Sequence, residues 1–336
     1  MASPSMRRPA GSTRISQHGA STSAAAPGAS LARILWRRRV PLLITHASLG
    51  GFPGECSDGS PSSSSAPAPA PLVFAASVPR FGYLAQLLPR LSAFFGRPCS
   101  SFQYENVPLR NLPLGLLMDL YLPPSTTDES VAEAGAEAEP ATGRGGRRRL
   151  PWRLVVADGE AWHLGDTFLN GAKEADYVRY GSAKQIMSLS KANTEALWEA
   201  IQDNDYATFS RVNNLLLNAA APLKHIPLRI FIPSTAPPKR SVLSTQSAAA
   251  ETPPYIPGSY KIMQPLVAPR LGNRQPQTLG AALRNLLPLL FPSSRDPVLA
   301  NVVLHGASVP FHTPLEELMR EAAYPDGWLA LVVVLL

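Results

Sequence analysis

Lysine is scarce in this chain, so each one is a candidate for chemistry that arginine cannot do. Only six of the 31 lysine and arginine residues are lysine: Lys173, Lys184, Lys191, Lys224, Lys239 and Lys261. A lysine amine can shed its proton and act as a nucleophile, whereas a guanidinium stays protonated. Lys173 comes first, in the run Asn170-Gly171-Ala172-Lys173-Glu174-Ala175-Asp176-Tyr177-Val178-Arg179-Tyr180. The acids beside it, Glu174 and Asp176, favour an ammonium over a free amine, so activation would have to come from the site of an enzyme acting on it. Composition alone favours a plainer reading, a solvated helix lysine.

The other reactive side chains form no constellation. The six histidines (His18, His46, His163, His225, His305 and His312) show no ligand spacing, and His305 and His312 flank a turn, which points to packing or surface roles. There is no Gly-x-Ser-x-Gly, Walker or dinucleotide fingerprint. Cys56 and Cys99 are the only cysteines, which excludes a disulfide framework and any Cys-x-x-Cys zinc site and suits a reducing cytosol. No catalytic residue, cofactor or metal is expected. Gly143-Arg144-Gly145-Gly146-Arg147 is a lone Arg-Gly tract beside an acidic block, a self-neutralised loop rather than an RNA-binding repeat. Arg37-Arg38-Arg39 reads as one basic turn of the first element, with anionic lipid as the alternative contact.

Charge placement says more than charge total. The formal net charge is +7, and residues 1–54 hold seven arginines and no acid, leaving the remainder neutral. A nucleic-acid binder carries its excess on a folded face. The longest apolar run, Trp328 to Leu336, is nine residues against the about 20 a spanning helix needs; it reads as a buried strand. Residues 1–30 have the Ser, Ala and Arg composition of a transit peptide, but Pro4, Pro9, Gly11, Gly19 and Pro27 interrupt any amphipathic helix, so a disordered extension is expected.

The elements that must position Lys173 come from a duplicated pattern. Val107-Pro108-Leu109, Pro113-Leu114 and Leu117-Met118 align through one gap with Val309-Pro310-Phe311, Pro314-Leu315 and Leu318-Met319. Around the first copy lie a strand at Leu72-Val73-Phe74, a helix carrying Leu84, Leu87, Leu88, Leu91, Phe94 and Phe95, and strands at Phe102-Gln103-Tyr104 and Trp152 to Val156. Around the second lie strands at Leu228 to Ile232 and Ile262 to Val267. A helix capped by Thr278 presents Leu279, Leu283, Leu286, Leu287 and Leu290, and strands follow at Val302-Val303-Leu304 and Leu329 to Leu336. One helix across a mixed sheet, twice, predicts an α+β chain with two ubiquitin-like β-grasp domains.

Between the copies the apolar period becomes helical. Leu197, Trp198 and Ile201 mark one helix, with Trp198 expected in its core; Tyr206, Phe209, Val212 and Leu216 mark another, capped by Asp203 or Asp205. The expected organisation is a disordered extension over 1–30, a first ubiquitin-like domain with a short N-terminal helix over 31–159, a helix-rich domain over 160–222 and a second ubiquitin-like domain over 223–336. Loops are expected at 48–70, 123–149 and 233–258, each between strands.

Several of these blocks together resemble the autophagy protein 5 family: Leu150 to Val156, Lys173 through Ser188-Leu189-Ser190-Lys191 to Leu197-Trp198, Phe209 to Asn214, Ile226 to Ile230, and Tyr324-Pro325-Asp326-Gly327-Trp328. The resemblance spans roughly residues 31 to 336 outside three insertions, and departs from the family at Arg38, where a glycine is usual. It implies that Lys173 is the isopeptide acceptor for the C-terminal glycine of autophagy protein 12, through autophagy proteins 7 and 10. It also implies that the conjugate binds autophagy protein 16 non-covalently and, ligase-like without catalytic residues of its own, promotes transfer of autophagy protein 8 from autophagy protein 3 to phosphatidylethanolamine. Such a protein is cytoplasmic and peripheral at the membrane of the preautophagosomal structure, and binds no nucleic acid. The alternative is an unconjugated ubiquitin-like adaptor in vesicle or nucleic-acid traffic.

Overall fold

Ser30 accepts a hydrogen bond from Arg33 N–H and so caps helix α1 (Leu31–Arg37). The computed structural model describes residues 30–49, 72–123, 150–159, 164–233 and 260–336. The expected extension over 1–30, apart from Ser30, and nearly all of the three expected loops lie outside these residues. The basic triplet does not form one turn: Arg37 ends α1, Arg38 is extended (φ −72°, ψ 131°) and Arg39 begins a strand. An extended backbone suits any residue, so arginine fits here without strain.

That strand, β1 (Arg39–His46), turns Val40, Leu42 and Ile44 inward and leaves Arg39 and Pro41 exposed, the alternation of a half-buried strand. It pairs antiparallel with β2 (Phe74–Pro79) and parallel with β5 (Trp152–Ala157). β5 pairs antiparallel with β3 (Ser101–Tyr104), which carries β4 (Val107–Pro108), so the order is β2-β1-β5-β3-β4. Helices α2 (Leu88–Phe95) and α3 (Leu114–Tyr121) cover one face, with Leu91, Leu114 and Leu117 packed in one core with Leu42, Phe102, Trp152 and Leu154. The expected helix over Leu84 to Phe95 is divided. Leu84–Leu87 is a 3-10 turn, because Pro89 near the start of α2 cannot donate to Ala85 and its ring crowds that carbonyl. The expected strand at Leu72 lies two residues later, since Ala75, Ala76 and Ser77 give no apolar alternation to read.

The second sheet repeats this topology. Its strands are β6 (Ile226–Pro233), β7 (Tyr260–Met263), β8 (Leu266–Val267), β9 (Ala300–Leu304), β10 (Ala307–Ser308) and β11 (Leu329–Leu335), in the order β10-β9-β11-β6-β7 with β8 also on β6. β11 pairs parallel with β6, as β5 does with β1, and lies between β6 and β9, which is why it is apolar throughout. The strand expected over Ile262 to Val267 breaks at Gln264-Pro265 into β7 and β8. Helix α8 (Leu279–Leu286) is capped by Thr278, as expected, but stops before Leu287 and Leu290. Pro288 pushes Leu287 out of the helical region (φ −136°). Helix α9 (Leu315–Ala322) completes the unit. Two β-grasp units are therefore present.

The duplication is genuine, but its register differs from the sequence alignment. Glu105 and Asn106 (φ 48° and 63°) make the β3–β4 turn, and His305 and Gly306 (φ 52° and 83°) make the β9–β10 turn. Leu109 N–H then donates to Phe102 O, and Val309 N–H to Val302 O. Val107-Pro108-Leu109 thus occupies the place of Ala307-Ser308-Val309, two residues from the Val-Pro match. Pairing is set by the two-residue turn, not by side-chain identity. Leu114 and Leu315 are equivalent, donating to Gly82 O and Gln277 O respectively.

Helices fill the segment between the sheets: α4 (Leu164–Tyr180), α5 (Lys184–Met187), α6 (Lys191–Gln202) and α7 (Tyr206–Leu217). Asp205 caps α7 while Asp203 ends α6, which resolves the expected choice of cap. Leu197, Ile201, Phe209, Val212 and Leu216 share one continuous core with Leu228, Leu279 and Leu331 of the second unit. Trp36 of α1 enters the same core, its ring 4.7 Å from Phe209 and 5.4 Å from Phe81.

Candidate functional site

Lys173 stands near the middle of α4, a helix of 17 residues, and is partly buried. It lines an open depression with Glu174, Tyr177, Val178, Gln264 and Trp328. Among the described residues no ion pair or hydrogen bond holds its ammonium. The acids expected to attend it are committed elsewhere. Glu174 binds Arg229 at 2.8 Å. Asp176 is fully buried, and its Oδ2 accepts from Ile186 N–H at 3.1 Å, tying α4 to α5. Burial pushes the Asp176 carboxyl up, against the pull of that hydrogen bond and of Arg179.

What holds α4 in place is the Tyr324–Trp328 segment that leads into β11. The Trp328 indole Nε1–H donates to Gly171 O at 3.0 Å, two residues before Lys173. The Arg229 guanidinium of β6 lies 4.0 Å from the Trp328 ring centroid, and bridges Glu174 at 2.8 Å and Asp326 at 3.5 Å. Asp326 Oδ1 accepts from Trp328 N–H at 3.2 Å; burial raises its carboxyl, opposed by Arg229. Arg179, whose basicity burial lowers, donates to Gly327 O at 2.8 Å. Two glycines make this fit. A Cβ at Gly171 would press on Asp326 at 3.3 Å, and Gly327 adopts φ 83° with Arg179 against it. The lysine therefore sits on a helix clamped at two turns, with its amine left uncommitted.

Sequence reasoning singled out Lys173 but missed Arg229, Asp326 and Trp328 as its support. The Tyr324-Pro325-Asp326-Gly327-Trp328 run was conspicuous, yet nothing in it says that it meets a helix about 150 residues earlier. Lys184 and Lys191 are both exposed, on α5 and at the start of α6, and Lys191 pairs with Glu195 at 3.6 Å. His305 is buried, with Nε2 2.8 Å from Ala322 O, a packing role as expected, and Cys99 is buried and free.

Comparison with known proteins gives this geometry a family. The description "Autophagy protein ATG5, UblB domain" matches residues 225–333, and "Autophagy protein ATG5, alpha-helical bundle region" matches residues 163–219. An Autophagy protein 5 of Chaetomium globosum is 52% identical over 318 residues, covering 95% of this chain and 94% of that one. This chain belongs to the autophagy protein 5 family. An Autophagy-related protein 5 of Neurospora crassa is 50% identical, covering 91% of this chain and 72% of that one, and one from Pyricularia oryzae is 51% identical, covering 91% and 80%. The crystal structure of Kluyveromyces marxianus Atg5 matches with a TM-score of 0.58 at 18% identity, over 90% of this chain and 99% of that one, which shows a shared fold. Membership of the autophagy protein 5 family assigns the chain a role in autophagy.

Proposed function

We propose that this autophagy protein 5 family member is a non-catalytic scaffold that accepts autophagy protein 12 at Lys173. The observation that carries the reading is an uncommitted amine on a helix clamped by Trp328, Arg229 and Asp326. A nucleophile held at a fixed point but without a partner of its own suits an acceptor whose thioester is presented by another protein. Lys173 Nζ attacks the thioester carbonyl of the C-terminal glycine; the C–S bond breaks, the isopeptide C–N bond forms, and the thiol of the conjugating enzyme leaves as the amine proton passes to that enzyme or to water. Autophagy protein 7 activates and autophagy protein 10 conjugates. For autophagy protein 16, the reading is supported by a depression between α1, α7 and α9, lined by Trp36, Tyr206, Phe209, Met319 and Tyr324. The assembled conjugate then works in the cytoplasm and peripherally at the preautophagosomal membrane, where it stimulates autophagy protein 3 to place autophagy protein 8 on phosphatidylethanolamine.

The test is reconstitution with the activating enzyme, the conjugating enzyme and autophagy protein 12, read by gel shift. Lys173→Arg keeps charge, length and helix propensity but has no removable proton at neutral pH. The shifted band should vanish with Lys173→Arg and persist with Lys184→Arg and Lys191→Arg. A full-strength band in Lys173→Arg would refute the assignment. Binding to the autophagy protein 16 helix should survive in the same variant.

A further inference from the structure

The outer edge of the first sheet carries an unusual surface that conjugation does not use. The described residues 30–49 and 72–104 contain seven arginines and no Asp or Glu. Among them, Arg80 is committed to Asp119 inside the molecule. At the β2 edge, Phe94 of α2 is 42% exposed and Leu72, two residues before Phe74, is 45% exposed. The ring of Phe94 stands 5.1 Å from that of Phe74, edge-on, and the Arg90 guanidinium lies 5.6 Å from the Phe74 centroid. Arg90 and Phe94 are one turn apart on the same helix face, and exposed Arg97 follows just past the helix end at Gly96. Asp158, just past β5 and two strands away from β2, accepts from the Ser100 hydroxyl at 3.1 Å.

We propose that this edge, centred on Phe94 with Arg90 and Arg97, is the surface through which the chain meets an anionic membrane. The proposal rests on the membrane-peripheral reading above and names its contact. An exposed aromatic side chain between arginines, with no carboxylate on the same elements, matches a bilayer interface: the ring enters the boundary between headgroups and acyl chains while the guanidinium groups pair with lipid phosphate and carboxylate. Arginine suits this pairing because its planar fork binds phosphate bidentately.

The experiment is flotation of the full chain with vesicles of phosphatidylcholine containing about 30% phosphatidylserine, at about 0.1 M and about 0.5 M salt. The parent should float with these vesicles at low salt, less at high salt, and not with pure phosphatidylcholine. Arg90→Glu combined with Arg97→Glu should lower the bound fraction about tenfold or more, and Phe94→Ala several-fold. The arginine pair variant should keep its melting temperature, and Phe94→Ala should unfold cooperatively at a somewhat lower one because it loses the ring contact with Phe74. Both should keep their gel shift at Lys173, which separates the membrane effect from misfolding and from failure of the conjugation reading. Phe94→Trp gives a direct readout: its difference emission against the parent should shift blue on adding anionic vesicles. If the parent does not float, both the membrane reading and this surface fall. If it floats but the variants float equally, this surface alone falls. An emission already blue without vesicles, and shifted red when residues 51–70 are replaced by a short Gly-Ser linker, would assign the edge to the chain's own segment and overturn the proposal. Quenching by single-stranded DNA with no shift on vesicles would assign it to nucleic acid, with the same result.

Discussion

Trp328 supports Lys173 by two separable means, a hydrogen bond to Gly171 O and a flat face for Arg229. Trp328→Phe keeps the face and loses the donor, so it should cost about 1 kcal/mol. Trp328→Ala also removes a nearly buried ring and should cost about 3–5 kcal/mol. Urea midpoints for the pair measure each part; equal losses would show that the hydrogen bond, not the stack, anchors α4. His305 makes a different prediction. Burial first, then the charges of Arg80 and Arg38, lower its pKa to about 3, against the ordinary 6.5. Below pH 6.5 the unfolded chain takes up a proton that the folded chain refuses, so the stability from this site is complete above pH 6.5 and is lost as pH falls towards 3. Between pH 6.5 and 5 the loss should be about 2 kcal/mol. His305→Asn, which tolerates φ 52°, should flatten that slope in denaturant midpoints taken across the range.

Helix α8 shows how local rules and packing disagree within one element. Thr278 caps it by accepting from Ala281 N–H at 3.4 Å, and Thr278→Ala should cost about 1 kcal/mol. Gly280, two residues on, looks like a flaw in a helix, and propensity alone says that alanine would stabilise it by about 1 kcal/mol. A Cβ there would collide with Ser294 O and Phe311 Cβ, so Gly280→Ala should lower the melting temperature instead. A rise would mean that the backbone at Ser294 yields. Trp198 of α6 corrects the expectation of a core residue: it is only partly buried, ring centroid 5.5 Å from Phe168 and 6.3 Å from Tyr83. Trp198→Ala should therefore cost about 2 kcal/mol, below the about 3–5 of an enclosed aromatic.

Across the whole molecule, the two sheets meet at a buried ion pair. Arg80 follows β2 and donates to Asp119 of α3 at 2.6 Å, and Asp119 Oδ2 accepts from Gly306 N–H in the β9–β10 turn at 3.1 Å. Burial pulls the guanidinium pKa down, but Asp119 and Tyr324 more than offset it, so the net shift is upward. Asp119→Ala would strand a buried charge and should cost about 3–5 kcal/mol, while Arg80→Met with Asp119→Leu should recover most of that loss. Calorimetry of the single and double variants decides this; equal losses would show that the ion pair itself, not the cost of stranding one member, sets the stability. Removing residues 1–29 should leave folding intact. Removing 1–45 takes α1 and nearly all of β1, which lies between β2 and β5, and should abolish soluble expression.

By itself, the sequence determined the kinds of element and their order: strands such as Trp152 to Val156 and Leu329 to Leu336, the helical stripe of Phe209, Val212 and Leu216, the Thr278 cap, the duplication, and Lys173 as the lysine to watch. These are local properties, readable because side-chain spacing and caps act over a few residues. The breaks at Pro89, Pro265 and Pro288 are local too, since a proline restricts its own turn and the residue before it. Tertiary structure alone decided the register of the duplication, the partial burial of Trp198, and the commitment of Glu174 and Asp176 away from Lys173. It also decided what makes Lys173 a fixed point, because Gly171, Arg229 and Trp328 meet across about 150 residues of chain. No local spacing encodes that meeting; it exists only when β6 and β11 pair and bring Arg229 and Trp328 together beneath α4.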